Sequence, residues 1–228
     1  MLARPPRVHW LAWLGLGGLI VVLNRYTNLD LQLAGQFYDS AAHTFPARSI
    51  RLLDLLFHDG LRWVAGLLVL VLLVQPFLQP PQTRRWQGNV FLVGVAVLSA
   101  LVVSIIKAKS NHSCPWDLTE FGSAAPYFRL FDPLPLTTAS NPGRCFPSGH
   151  ASTAFMWIVL LYSTLPWVVR LRPWLVGLLL VGALLAGGVQ VAKGAHFLSH
   201  VLATAWVCWG VTLVAVWAGL HFGKLPTD

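Results

Sequence analysis

Histidines occupy two settings in this chain where they could do chemistry. His150 closes the run Arg144-Cys145-Phe146-Pro147-Ser148-Gly149-His150, where a polar, sharply turning segment meets an uncharged stretch. Proline suits a helix start, serine can cap one, and glycine lets a ligand approach the backbone. A helix N-terminus attracts anions through its unpaired N–H groups, and His150 adds a titratable group there. Taken alone, these residues also fit an ordinary capped membrane helix.

The second setting is Gln190 to His200, where helical spacing places Lys193, His196 and His200 on one side, three and four residues apart. Two histidines at that spacing could bind zinc, but the zinc-protease pattern needs Glu directly after the first His, and Phe197 stands there. The alternative is a histidine that attacks phosphorus while a neighbour fixes its other ring nitrogen. A third polar cluster, Lys107 to Pro115, follows another apolar stretch. Lysines so near helix ends can also simply snorkel to the interface.

These clusters need a membrane frame. Of 228 residues, 56% are hydrophobic and 11% charged, with a mean hydropathy of +0.63, which excludes an ordinary soluble domain and points to an all-α polytopic membrane protein. The net charge of +8 comes from scattered basic residues with no long block, so no nucleic-acid partner is expected. Six uncharged runs can each cross a core of roughly 30 Å, which takes about 20 helical residues. They are 8–24, 63–83, 86–106, 151–169, 173–192 and 201–220, in a single domain over 1–228.

Arg4, Arg7, Arg84, Arg85, Arg170, Arg172 and Lys224 then share one side with the terminal Asp228, while the other seven acids lie in the opposite segments 26–62 and 107–147. The positive-inside rule places both termini in the cytoplasm and the three polar clusters on the outer face of an inner (plasma) membrane. An amphipathic piece, Ile50 to His58, could lie along the interface or pack as a loop helix. Cys208 falls in an apolar run and reads as packing. Cys114 and Cys145 share the second outer segment, where an oxidising compartment permits a disulfide.

Together the clusters resemble the three signature motifs of the type 2 phosphatidic acid phosphatase (PAP2) superfamily. Its first motif, Lys, six residues, then Arg-Pro, is similar to Lys107 to Pro115 with Cys114 at the Arg position. Its second, Pro-Ser-Gly-His, matches Pro147 to His150. Its third, Ser-Arg, five residues, His, three residues, Asp, is similar to Val189 to His200, with His196 matched and Val189, Gln190 and His200 at the Ser, Arg and Asp positions. The similarity covers most of the chain from Trp86 onward.

The resemblance implies a six-helix bundle and metal-independent removal of phosphate from a lipid phosphate or diphosphate. His196 would attack to give a phosphohistidine, and His150 would serve as acid and then base. Lys107, Ser148, Gly149, Lys193 and Gln190 would face the phosphate, and His200 would orient His196. Lys193, Arg144 or Lys109 could replace the missing arginine charge, and a site this cationic favours a dianionic or pyrophosphate ligand. No cofactor or metal is implied. Substrate candidates are phosphatidic acid, phosphatidylglycerol phosphate, undecaprenyl diphosphate and lipid A. A lipid-to-lipid phosphotransferase of the same fold and a non-catalytic lipid-binding or transport protein are the alternatives. Membrane lipids are the other expected partners, and the oligomeric state is left open.

Overall fold

The computed structural model describes residues 2–79, 86–133 and 143–222. Among the described residues five helices are long and apolar enough to cross a membrane: α1 (Arg7–Tyr26), the continuous run Arg51–Leu78, α5 (Trp86–Lys109), α7 (Pro166–Ala192) and α8 (Leu198–His221). The run Arg51–Leu78 comprises α3 (Arg51–Asp54), a π-helical turn (Leu55–Gly60), α4 (Leu61–Val74) and a final 3₁₀ turn. A short helix, α2 (Leu29–Gly35), follows α1. A sixth apolar helix, Gly149–Tyr162, is shorter; it starts as α6 (Gly149–Phe155) and finishes as 3₁₀. No strand is present among the described residues, and the chain is an all-helical, multi-pass membrane protein.

Two boundaries differ from the sequence reading. The second crossing was expected over 63–83 but starts at Arg51, so the amphipathic piece expected at the interface is the beginning of that helix. The fourth and fifth were expected at 151–169 and 173–192, parted by Arg170 and Arg172. The break instead falls at residues 163–165, and both arginines lie inside α7. Leu165 precedes Pro166, and a residue before proline is pushed out of the helical region; its φ of −57° and ψ of 128° show this. Pro166 then starts α7, where its missing N–H costs nothing. Arg84, Arg85, Lys224 and Asp228, used above to orient the chain, lie outside the described residues.

α8 is the centre of the bundle. Some 44% of its most apolar stretch is buried inside the protein, against 17% for α1 and for Arg51–Leu78, which mainly face lipid. Small residues let helices approach it where lipid supplies no hydrophobic drive. A Cβ on Gly187 of α7 would lie 2.7 Å from Val201 Cγ1, and one on Gly17 of α1 would lie 2.8 Å from Trp206 Nε1. The α1–α8 seam is closed by stacked Trp13 and Trp206 rings, 4.9 Å apart. Each indole N–H donates to the other residue's carbonyl, at 2.9 and 3.0 Å. α5 packs on the same core through Leu92, Val95, Ala96, Ser99 and Val103, a stripe at helical spacing.

The lower end of the short helix needs polar partners, because unsatisfied backbone is costly at membrane depth. Ala3 N–H donates to the Tyr162 carbonyl at 2.7 Å, and Arg172 Nη2 donates to the Ser163 carbonyl at 2.6 Å. Leu2 is buried beside them.

Candidate active site

The C-terminal end of α5, the start of α6 and the start of α8 meet at one end of the bundle, bringing the three polar clusters together. Their loops are pinned to one another. Arg144 N–H donates to the Ser110 carbonyl at 2.8 Å, and Cys145 N–H to His112 at 2.9 Å. A disulfide joins Cys114 to Cys145, with Cα atoms 5.2 Å apart. Ser148 N–H donates to the His200 carbonyl at 3.2 Å, and Thr204 Oγ1 returns a bond to the Ser148 carbonyl at 2.9 Å, fixing the α6 start to α8. Gly194, at φ +66°, turns the chain from α7 toward α8; a Cβ there would sit 2.5 Å from the Phe45 ring.

The first turn of α8 is held from a distance in sequence. Buried Asp30 of α2 accepts the Ser199 N–H through Oδ1 at 2.9 Å and the Asn24 amide through Oδ2 at 3.1 Å. A carboxylate on an exposed helix N–H acts as a cap supplied by another helix, and the positive end of the α8 dipole favours it.

His196 occupies the centre. It is 1% exposed, with its ring centroid 5.7 Å from His150 and 6.0 Å from His200. Its Nδ1 lies 3.3 Å from Cys145 Sγ. A disulfide sulfur carries no proton, so Nδ1–H is the donor in that contact and Nε2 is left with a free lone pair. Burial pushes the His196 pKa well below the usual histidine range, and positive charge on His200, Lys107 and His150 pushes the same way, against the Cys145 carbonyl. At neutral pH it is an uncharged imidazole, as a nucleophile requires.

In front of His150 opens a cavity of about 370 Å³. Lys107, Gly149, His150 and Thr153 line it, together with Arg62 and Arg144. The Lys107 ammonium lies over Gly149, 3.3 Å from where a Cβ would be, so any side chain at 149 would press on the cation. No lining residue is acidic.

The sequence-expected residues thus fall into two groups. Lys107, Gly149 and His150 face the cavity, and His196 stands behind His150. Ser148, Gln190, Lys193 and His200 are buried and do not line the cavity. The Ser148 hydroxyl caps its own helix by accepting from Ala151 N–H at 3.4 Å. The Gln190 carbonyl accepts from Ala195 and His196 N–H at 2.9 and 3.2 Å. Lys193, expected at the phosphate, forms an ion pair with Asp54 of α3. His200 packs edge-on against Phe146 and Phe197, at 5.3 Å from each. Lys109, the other expected substitute, is exposed and outside the cavity lining.

Sequence reasoning missed Arg62 and Asp30. Arg62 stood at the end of the first outer segment, just before an expected crossing, and Asp30 among that segment's acids; neither has a local signal. Among the described residues one Cys/His cluster has metal-binding spacing, Cys114, Cys145 and His196, and its two sulfurs are bonded to each other.

The PAP2 superfamily model matches residues 88–222. The chain belongs to the PAP2 superfamily. All three polar clusters lie within the matched span. Among curated protein sequences none matches the chain. Its fold is similar to the crystal structure of a transmembrane PAP2-type phosphatidylglycerolphosphate phosphatase from Bacillus subtilis, with a TM-score of 0.56 and 18% identity over 97% of this chain and 98% of that one.

Proposed function

We propose that this PAP2 member is a metal-independent lipid phosphatase that works through a phosphohistidine on His196. The observation that carries the reading is the placement of a neutral, buried histidine, its Nδ1 already engaged, directly behind His150 and a cavity lined by Lys107. PAP2 membership supports phosphatase chemistry in general, and the membrane frame supports a lipid substrate.

In this mechanism Lys107 and the Gly149 backbone hold the phosphate oxygens and offset charge as it spreads in the transition state. His196 Nε2 forms a bond to phosphorus as the P–O bond to the lipid breaks. The electron pair stays on the leaving oxygen, which takes a proton from His150. Water then attacks the phosphohistidine, giving its proton back to His150; the P–N bond breaks and inorganic phosphate leaves. The distribution of arginine and lysine supports an orientation with both termini in the cytoplasm and this site on the outer side of an inner membrane.

The test is phosphate release from a panel of lipid phosphates by the purified protein in detergent, with His196→Ala and His150→Ala beside it. The expected result is turnover that resists chelators, is blocked by vanadate and is lost in both variants while they remain folded. Near-normal turnover in either variant overturns the assignment. Labelled phosphate recovered on a second lipid instead of in solution would redirect it to phosphotransfer.

A further inference from the structure

A second cavity, of about 520 Å³, opens at the end of the bundle opposite His196, between the start of α1 and the end of α8. Arg4, Arg7, Trp10, Trp217 and His221 line it. Helix α8 begins at the candidate active site and ends here, 24 residues later, so about 36 Å of helix separates the two cavities. No residue of the lining is acidic. Among the described residues the side chains of Arg4 and Arg7 have no hydrogen-bond or ion-pair partner.

The walls are fixed from both helices. Arg4 is no loose end: Ala3 N–H donates to the Tyr162 carbonyl at 2.7 Å and Leu2 bridges to Ser163. Pro5, which is buried, and Pro6 then lock the backbone between the two arginines. Trp10 packs against the core one turn past Arg7. On α8, His221 Nδ1–H donates to the Trp217 carbonyl at 2.8 Å, and the two rings lie 4.6 Å apart. Guanidiniums match phosphate oxygens with paired planar donors, and tryptophans settle at the headgroup level of a bilayer.

Below the cavity both helices turn apolar side chains to lipid. Leu11 and Leu14 continue the face of α1 that carries Arg7, and Val214 continues the face of α8 that carries Trp217 and His221, all at three- and four-residue spacing. Leu11, Leu14 and Val214 are each more than half exposed. A headgroup in the cavity therefore has a surface for its acyl chains, which a free phosphate ion would not use.

We propose that this cavity seats the phosphate of an anionic phospholipid from the adjacent leaflet, the cytoplasmic one in the orientation given above. Arg4 and Arg7 take the phosphodiester oxygens, Trp10 and Trp217 flank the glycerol, and the chains run down the α1 and α8 faces. Basic pockets between membrane helices bind anionic headgroups on that side, and the volume is within the range of small-molecule sites, about 300–1,000 Å³. None of the lining residues belongs to the three motif clusters, and the seat does not depend on phosphatase chemistry at the other end.

The test is native mass spectrometry of the whole protein in detergent, titrated with phosphatidylglycerol and with zwitterionic phosphatidylcholine of the same chains. One phosphatidylglycerol should bind about tenfold or more tighter than phosphatidylcholine. Arg4→Gln and Arg7→Gln should each weaken it by about fivefold or more, the size of one charged contact at a membrane surface. Arg170, near the start of α7 at the same end, is also exposed and lies outside the cavity, so Arg170→Gln should stay within about twofold. Arg4 and Arg7 are exposed, and an unchanged Tm without added lipid confirms that both variants are folded. An equal loss in all three variants means diffuse surface charge, and displacement by inorganic phosphate at equal concentration means a free-anion site. Either result overturns the lipid seat, as does binding that neither Arg4→Gln nor Arg7→Gln weakens.

Discussion

Replacing His200 with Asp tests how the site sets the protonation of His196. In the wild type, burial above all holds the His196 pKa far below its ordinary value, and His200 beside it brings no negative charge to offset that. The two ring centroids lie 6.0 Å apart, edge toward face. At an effective dielectric of about 20, a unit charge roughly 6 Å away is worth about 3 kcal/mol, or about two pKa units. A carboxylate at position 200 favours the imidazolium, so the His196 pKa rises. Wild-type His196 stays neutral as pH falls through 6.5 and below, and the acid limb of kcat/KM should lie well under that value. In His200→Asp the limb should move to higher pH by up to about two units. His200→Asn, which replaces the ring without adding charge, should leave the limb close to its wild-type position. Phosphate release measured from acid to neutral pH gives the profile. Carbethoxylation of His196, followed by mass spectrometry across the same range, reports its neutral fraction without turnover. A limb that stays in place, or shifts toward acid, in His200→Asp would refute the electrostatic account.

Two further outcomes follow from the contacts around His196. Breaking the Cys114–Cys145 bridge, by a phosphine reductant or by Cys114→Ser with Cys145→Ser, should cost about 3–4 kcal/mol for a loop of this size, read as a lower Tm. It should also reduce kcat more than it raises KM, because the sulfur that receives Nδ1–H moves. Lys193→Gln should leave KM within about twofold, since its ammonium faces Asp54, whereas Lys107→Gln should lower kcat/KM by about 10²–10³, as for loss of a transition-state charge contact; kinetics of the two variants side by side decide this.

Much of the frame was legible from uncharged runs, because each helix must satisfy its own backbone in lipid and few residues can carry charge there. The order Lys107, Pro147 to His150, His196 was legible too, since motif residues lie close in sequence. The break at 163–165 was not: no charge marks it, and the conformational veto of Pro166 on Leu165 was hidden inside an apolar run. Contacts that cross the bundle were equally invisible. Lys193 finds Asp54 across 139 residues and Ser199 finds Asp30 across 169, and nothing local in either partner announces the other. The departures at positions 114 and 200 looked unrelated in sequence. In space they are neighbours: Cys114 bonds to Cys145, and Cys145 touches His196, the residue that position 200 was expected to orient.

The short helix that carries His150 has one more consequence. Seven α-helical and seven 3₁₀ residues rise only about 25 Å, less than a hydrocarbon core of roughly 30 Å. The thickness is completed in relay, by residues 2 and 3 meeting Tyr162 and Ser163 from below. His150 is thus mounted on a column with a separate footing, built from the first residues of the chain. The height at which His150 stands therefore depends on two segments about 160 residues apart in sequence meeting end to end.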